Sequence, residues 1–358
     1  MHGSGTNYGR KGEIRMEKFK VGIVGADTRM GQELVRRLLT HPFVEVAAAS
    51  SSAYAGRPIN EVCPQLMGLT SLTLVGEQEV IARADVVFNA DTSFNSQELG
   101  ALCIKNRCVF IDLSDEFRLS NEADFKAYSG EDFSYAGLHE AAIYGLPELM
   151  RDQMLGKVLI ANPGAAATAA ALALIPPVLD GLISCDGIAI NAAISAADAP
   201  GLSRPAREFG SAANNIALGP DGTIDRYEIE QLLTIAAGKN VRITYAPTTV
   251  CASRGVLVSC FVRTQLAASE KTLTNSLVKL YNSERFVRIL PPGAAPSTTA
   301  VYGTNCCDIG VRCFERTGTA VITAALDTLG KGSVGQAIQN MNTLLSLPEH
   351  IALVSSPQ

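Results

Sequence analysis

VGIVGADTRMGQELVRRLL, residues Val21–Leu39, joins an apolar run, a glycine-bearing turn and a helical repeat in one short span. Phe19–Gly25 (FKVGIVG) reads as a buried strand, because a brief apolar run closed by glycine suits a strand covered on both faces. In Gly31–Thr40, Leu34, Val35, Leu38 and Leu39 fall on one helical face. Between them lie Gly22, Gly25 and Gly31, spaced more loosely than a strict GxGxxG. A strand-to-helix turn of this kind lets backbone N–H groups and the helix start approach a pyrophosphate. Its remaining residues are Asp27, Thr28, Arg29 and Met30, so Asp27 brings negative charge toward the phosphate position unless Arg29 neutralises it. Two readings therefore stand, a dinucleotide cradle and a Rossmann-like turn kept for packing.

Working outward, apolar runs at Val44–Ser50, Leu72–Val75, Ala84–Ala90 and Cys108–Leu113 alternate with helical or polar segments. That alternation predicts βαβ units and a parallel sheet, a Rossmann-type α/β domain. Ser50, Ser51 and Ser52 close the second strand without a carboxylate for a ribose hydroxyl, which favours a 2′-phosphorylated dinucleotide if one binds. Beyond Asn162-Pro163-Gly164 the character changes. Strand-like runs at Ile188–Ile194, Val241–Tyr245, Val256–Thr264 and Phe286–Leu290 are separated by a Pro/Gly/Ser-rich loop at Ala199–Arg207 and a turn at Pro220–Thr223. These predict an α+β second domain with a largely antiparallel, partly exposed sheet, suited to a subunit interface. Gly332–Leu347 reads as an amphipathic helix returning to the first domain. The expected division is a flexible leader over 1–15 with Met16 as the natural start, a dinucleotide-binding domain over 16–161 with 326–358, and a substrate and dimerisation domain over 162–325.

The 358 residues are 47% hydrophobic and 18% charged, enough for packed cores. With 30 basic against 35 acidic residues and a net charge of −5, nucleic acid is disfavoured as the main partner. A small anionic metabolite held by one or two arginines is not. The nine cysteines are scattered without a CxxC pair, which argues against disulfides or a metal site and for free thiols in a reducing cytoplasm. The apolar stretch Ala165–Leu179 is too short to span a bilayer and carries Pro176 and Pro177.

Val21–Leu39 resembles the opening of N-acetyl-γ-glutamyl-phosphate reductases, relatives of aspartate-semialdehyde dehydrogenase. The resemblance continues in order through FIDLSDEFRL (Phe110–Leu119), YGLPEL (Tyr144–Leu149), ANPG (Ala161–Gly164), EIEQ (Glu228–Gln231), SRG (Ser253–Gly255), GTNCCDIGV (Gly303–Val311) and KGSVGQAIQNMN (Lys331–Asn342). It implies reduction of an acyl phosphate by NADPH in arginine biosynthesis. A cysteine thiolate at a helix start displaces phosphate as a thioester, and a histidine moves the proton. It also implies Lys331 on the cofactor side, Arg118, Asn162, Gly164 and Arg254 around the substrate, no metal, and self-association through the second domain.

The chain departs from this pattern where the chemistry resides. Ala165 stands where the resemblance implies the cysteine, and a methyl group forms no thioester. Thr28 replaces the second turn glycine, and Thr92-Ser93-Phe94 replaces a Pro-His-Gly turn. Ile194–Pro200 replaces a glycine-rich segment, Thr223-Ile224-Asp225 a His-Arg-His segment, and Thr248 a further histidine. The four histidines are His2, His41, His139 and His350, none in these segments. The expectation is a relative that has given up acyl-phosphate reduction. It would be either a binding, regulatory or assembly protein, with another protein among its candidate partners, or an enzyme using Asp198, Asp225 and Glu228 as acid–base groups without covalent catalysis. The alternative is an active NADP-dependent oxidoreductase with Cys251 as a relocated nucleophile.

Overall fold

The computed structural model describes residues 18–92, 95–198, 223–266 and 268–356. The expected leader, Ser93-Phe94, Ala199-Pro200, the Ala199–Arg207 loop and all but the last residue of the Pro220–Thr223 turn lie outside these.

The first sheet contains β1 (Phe19–Val24), β2 (Val44–Ala49), β3 (Val86–Asn89), β4 (Val109–Asp112), β5 (Ile143–Tyr144) and β6 (Leu159–Ala161). Their order is β2-β1-β3-β4-β6-β5, every pairing parallel, the Rossmann-type arrangement expected. Helices α1 (Arg29–Leu38), α2 (Glu77–Arg83), α3 (Ser96–Lys105) and α4 (Pro147–Met154) accompany it, with a further helix at Glu122–Ser129 and shorter helical turns besides. The strand alternation sends Val21 and Ile23 to one face, with Leu34, Val35 and Leu38 of α1. Val24, Val87, Phe110 and Leu159 turn to the other, with Val80, Ile81, Leu99 and Cys103 of α2 and α3. Both faces are covered, which is why these strands read as continuous apolar runs. Leu72–Val75 is not a strand. Thr73 and Val75 make only single bridges, to Pro58 and Ser50, before Gly76 precedes α2.

The second unit carries α5 (Ala165–Leu179), β7 (Ile188–Ser195), α6 (Asp225–Ala237), β8 (Ile243–Val250), β9 (Val256–Arg263), α7 (Glu270–Tyr281), β10 (Val287–Ile289), β11 (Cys307–Phe314) and β12 (Thr319–Leu326). The sheet order is β10-β11-β12-β9-β7-β8, antiparallel through its four central strands and parallel at β10/β11 and β7/β8. It is therefore mixed and mostly antiparallel. As the edge strand, β8 accommodates Pro247 and runs to Val250, past the expected end at Tyr245.

α5 is buried without a break from Ala166 to Val178, between α6 and the sheet. A helix apolar all round belongs in such a position. The opposite sheet face is open, with Phe261 about half exposed. A final helix, α8 (Val334–Leu344), packs Ala337, Ile338 and Met341 into the core of the first sheet. Among the described residues, no helix is long and apolar enough to cross a membrane.

Candidate functional site

The chain leaves β6 through Asn162-Pro163-Gly164 and enters α5. Gly164 is the helix cap, and no side chain of its own segment caps it. Instead its N–H donates to Glu228 Oε2 at 3.1 Å. A Cβ on Gly164 would lie 2.8 Å from Glu228 Oε1, 3.0 Å from Asp225 Oδ1 and 3.1 Å from Arg118 Nη1, so the close approach of these groups requires glycine. Ala165, half-buried, is the first residue of α5. Its Cβ faces Gly332 so closely that a Cβ there would come within 2.8 Å.

The carboxylates come from α6. Asp225, Glu228 and Gln231 recur every three residues, so they share one helical face. Fully buried Glu228 pairs with Arg118 Nη1 at 3.2 Å and accepts from the Tyr144 hydroxyl at 2.7 Å. Arg118 also pairs with Asp115 at 2.7 Å and donates to the carbonyls of Asn162 (2.9 Å) and Leu113 (3.0 Å). Gln231 closes the ring, accepting from the Ser120 N–H at 2.8 Å and donating to the Arg118 carbonyl at 3.0 Å. The Tyr245 hydroxyl donates to Asp225 at 2.9 Å.

Burial, then the neighbouring Glu228 charge, pushes the Asp225 carboxyl up to about 7. Burial opposes the Arg118 charge, but Asp115 and Glu228 outweigh it and hold the guanidinium above its ordinary range. Burial and the carboxylates raise both Tyr144 and Tyr245, so their phenols remain donors. The α5 start thus sets Ala165 beside a buried, proton-holding cluster.

At the glycine turn the backbone lies too close to neighbouring atoms to admit side chains. Gly25 has φ +76°, and a Cβ there would meet Asp91 at 2.7 Å. A Cβ on Gly31 would lie 2.0 Å from the Gly25 carbonyl oxygen. Gly22 packs under α2, where a Cβ would lie 2.5 Å from Val80. Thr28 caps α1, accepting from the Gly31 N–H at 3.0 Å and donating to the Gly25 carbonyl at 2.8 Å. Arg29 reaches across to Asp198 at 2.6 Å and the Ser253 carbonyl at 2.5 Å.

The other residues expected around the cofactor are Ser50–Ser52, which directly follow β2, and Lys331. Ser50 Oγ is buried with no partner among the described residues, Ser51 accepts from the Ala53 and Tyr54 N–H groups of its own turn, and Ser52 is exposed. Lys331 is fully buried, its ammonium against Glu148 at 2.6 Å and Gln339 at 2.8 Å, because an ammonium in that interior needs a carboxylate beside it.

On the substrate side, the structure brings Arg118, Asn162, Gly164, Ala165, Asp225 and Glu228 together. The Asn162 amide donates to the Ser333 carbonyl (3.1 Å) and accepts from Asn340 (3.0 Å), tying α8 to the α5 start. Arg254 is engaged by Asp327 at 2.6 Å and lies 5.4 Å over the Tyr302 ring. Cys251 is exposed just past β8. His41 bonds Asn342, His139 is buried against Phe133, and His350 lies beside Arg151 and Glu284. Among the described residues no His/Cys/Asp/Glu group is arranged to hold a metal ion. Tyr144, Tyr245 and Asn340 were not singled out from sequence. Tyr144 and Asn340 stand inside retained motifs, which was their one signal.

Residues 20–156 match the semialdehyde dehydrogenase NAD binding domain, and residues 166–328 match the semialdehyde dehydrogenase dimerisation domain. The N-acetyl-gamma-glutamyl-phosphate reductase of Desulforamulus reducens is 36% identical over 339 residues, covering 94% of this chain and 98% of that protein. The same enzyme from Moorella thermoacetica is 36% identical over 340 residues, with the same coverage. The chain belongs to the N-acetyl-γ-glutamyl-phosphate reductase family. Among solved structures, aspartate semialdehyde dehydrogenase II from Vibrio cholerae shares the fold, with a TM-score of 0.70 over 92% of this chain and 99% of that one at 14% identity. Aspartate semialdehyde dehydrogenase with NADP from Candida albicans is similar at a TM-score of 0.64 and 14% identity, over 92% and 100% of the two chains. Within the reductase family, then, this member carries alanine at the first residue of α5 and a carboxylate from α6 on the cap N–H.

Proposed function

We propose that this chain is a reductase-family protein that has lost thioester-forming acyl-phosphate reduction and works through non-covalent binding in the same cleft. The observation that carries this reading is Ala165 at the start of α5, with Glu228 occupying the cap N–H, His41 and His139 packed elsewhere, and His350 at a separate surface pocket. Loss of a nucleophile or its base lowers turnover by orders of magnitude, about 10⁶-fold in a well-studied protease. NADP, when bound, would supply hydride chemistry at the carboxyl ends of the first sheet, with the Gly25–Gly31 backbone and Arg29 as its phosphate contacts. The chain's own residues orient and hold: Arg118 and Tyr144 fix Glu228, and Tyr245 fixes Asp225. The open face of the second sheet, within the region matching a dimerisation domain, supports self-association, and the free cysteines suit a reducing cytoplasm.

The deciding experiment is a coupled turnover assay with N-acetylglutamate semialdehyde, phosphate and NADP⁺, run beside an intact reductase. Absence of reduced cofactor is the expected result. Clear turnover abolished by Cys251→Ser would overturn the proposal in favour of a relocated nucleophile.

A second reading rests on Asp225, whose carboxyl titrates near 7 beside Glu228. A group so placed both donates and accepts a proton at neutral pH. Such an enzyme would bind a small anionic metabolite and lose activity in Asp225→Asn while keeping its fold.

A further inference from the structure

We infer that Asp198 competes with dinucleotide phosphate for Arg29, and so sets how tightly the glycine turn binds NADP. Arg29 is the first residue of α1, at the positive end of the helix, and the first turn of α1 contains no acidic residue. Its guanidinium spends one donor on Asp198 (2.6 Å) and another on the Ser253 carbonyl (2.5 Å), both in the second unit. These are the donors that phosphate oxygens would seek.

Asp198 is held ready for this role. It ends the short turn after β7, its N–H bonded to the Ser195 carbonyl at 3.0 Å. Its second oxygen accepts from the hydroxyls of Ser195 and Thr328. Thr328 in turn accepts from the Gly255 N–H at 3.2 Å, so both contact points of Arg29 hang on one framework. The Arg29 side chain is 38% exposed and that of Asp198 15%, which leaves the pair reachable by solvent and by a ligand. An ion pair this exposed is weak enough to exchange partners. Arg29 and Asp198 also lie in two of the segments where the chain departs from the family pattern. The inference concerns the cofactor turn and stands whether or not Ala165 abolishes the chemistry.

Calorimetric titration with NADP⁺ tests it on the full chain. Asp198→Asn should bind about tenfold or more tighter than wild type, the scale of one hydrogen bond to a charged group. Arg29→Met should show no gain, and the double variant should match Arg29→Met. Affinity in Asp198→Asn no higher than wild type, including no binding by either, would overturn the inference. So would a gain that persists in the double variant. Should Asp198→Asn misfold, hydrogen exchange on wild type reads the same competition. NADP⁺ should then deprotect residues 195–198 and 253–255, and unchanged or increased protection there contradicts it.

Discussion

The start of α1 takes its cap from its own Thr28, whereas the start of α5 takes its cap from Glu228 on another helix. Each positive helix end also faces an arginine–carboxylate pair, Arg29–Asp198 at α1 and Arg118–Glu228 at α5. The two sites adjoin, because a Cβ on Gly332 would come 2.8 Å from the Ala165 Cβ and 2.9 Å from the Cα of Thr328, which bonds Asp198. What separates them is burial. Glu228 is sealed from solvent with three partners, while Arg29 remains over a third exposed. The same chemical pair is thus a fixed structural joint at α5 and an exchangeable contact at α1.

The comparison breaks first at Glu228. Glu228→Ala leaves the buried Arg118 charge short of its partner and orphans the Tyr144 hydroxyl and the Gly164 N–H. Urea unfolding should register a loss of about 3–5 kcal/mol. A loss below about 1 kcal/mol would mean that the α5 joint is no firmer than an exposed pair.

A proton titration sharpens the contrast next. Asp225 has a folded-state pKa of about 7 against its ordinary 3.8, so between those values the folded chain holds a proton that the unfolded chain has released. Its stabilising contribution is complete below 3.8, declines as pH rises, and is gone above about 7. Asp225→Asn should remove that slope, and the variant should gain stability relative to wild type from acid to neutral pH. His139, which burial pushes down to about 4, contributes the opposite slope, but it is common to both proteins and cancels in the difference. Parallel stability curves would place the Asp225 proton elsewhere.

The smallest effect is expected at α1, where Asp198→Asn should change unfolding free energy by at most about 1 kcal/mol, since its partner is over a third exposed. A loss as large as that of Glu228→Ala would make the α1 contact a structural joint as well.

Much of the fold was legible in the chain. The Val21–Leu39 pattern announced β1, its glycine turn and α1, because period and punctuation are local properties. β5 and β6 escaped, being two and three residues long and too short for any period to register. Residues of β8 beyond Tyr245 escaped because Pro247 reads as a breaker, and only its place at the sheet edge makes it acceptable. At the site, Arg118, Gly164, Asp225 and Glu228 were legible as residues, but not as one cluster. The resemblance implied Lys331 on the cofactor side, and only the fold shows its ammonium buried against Glu148, 183 positions away.

The sequence by itself determined that the chain is a two-sheet member of this reductase family with alanine at the α5 start, since identity and periodicity are written residue by residue. The tertiary structure alone decided that Glu228 caps α5, that Asp225 holds its proton to about 7, and that Arg29 meets Asp198. Those outcomes depend on distance and dielectric between groups far apart in the chain, 64 positions for Gly164 and Glu228 and 169 for Arg29 and Asp198. Burial, which sets the strength of every such pair, exists only once the sheets and helices have closed around it.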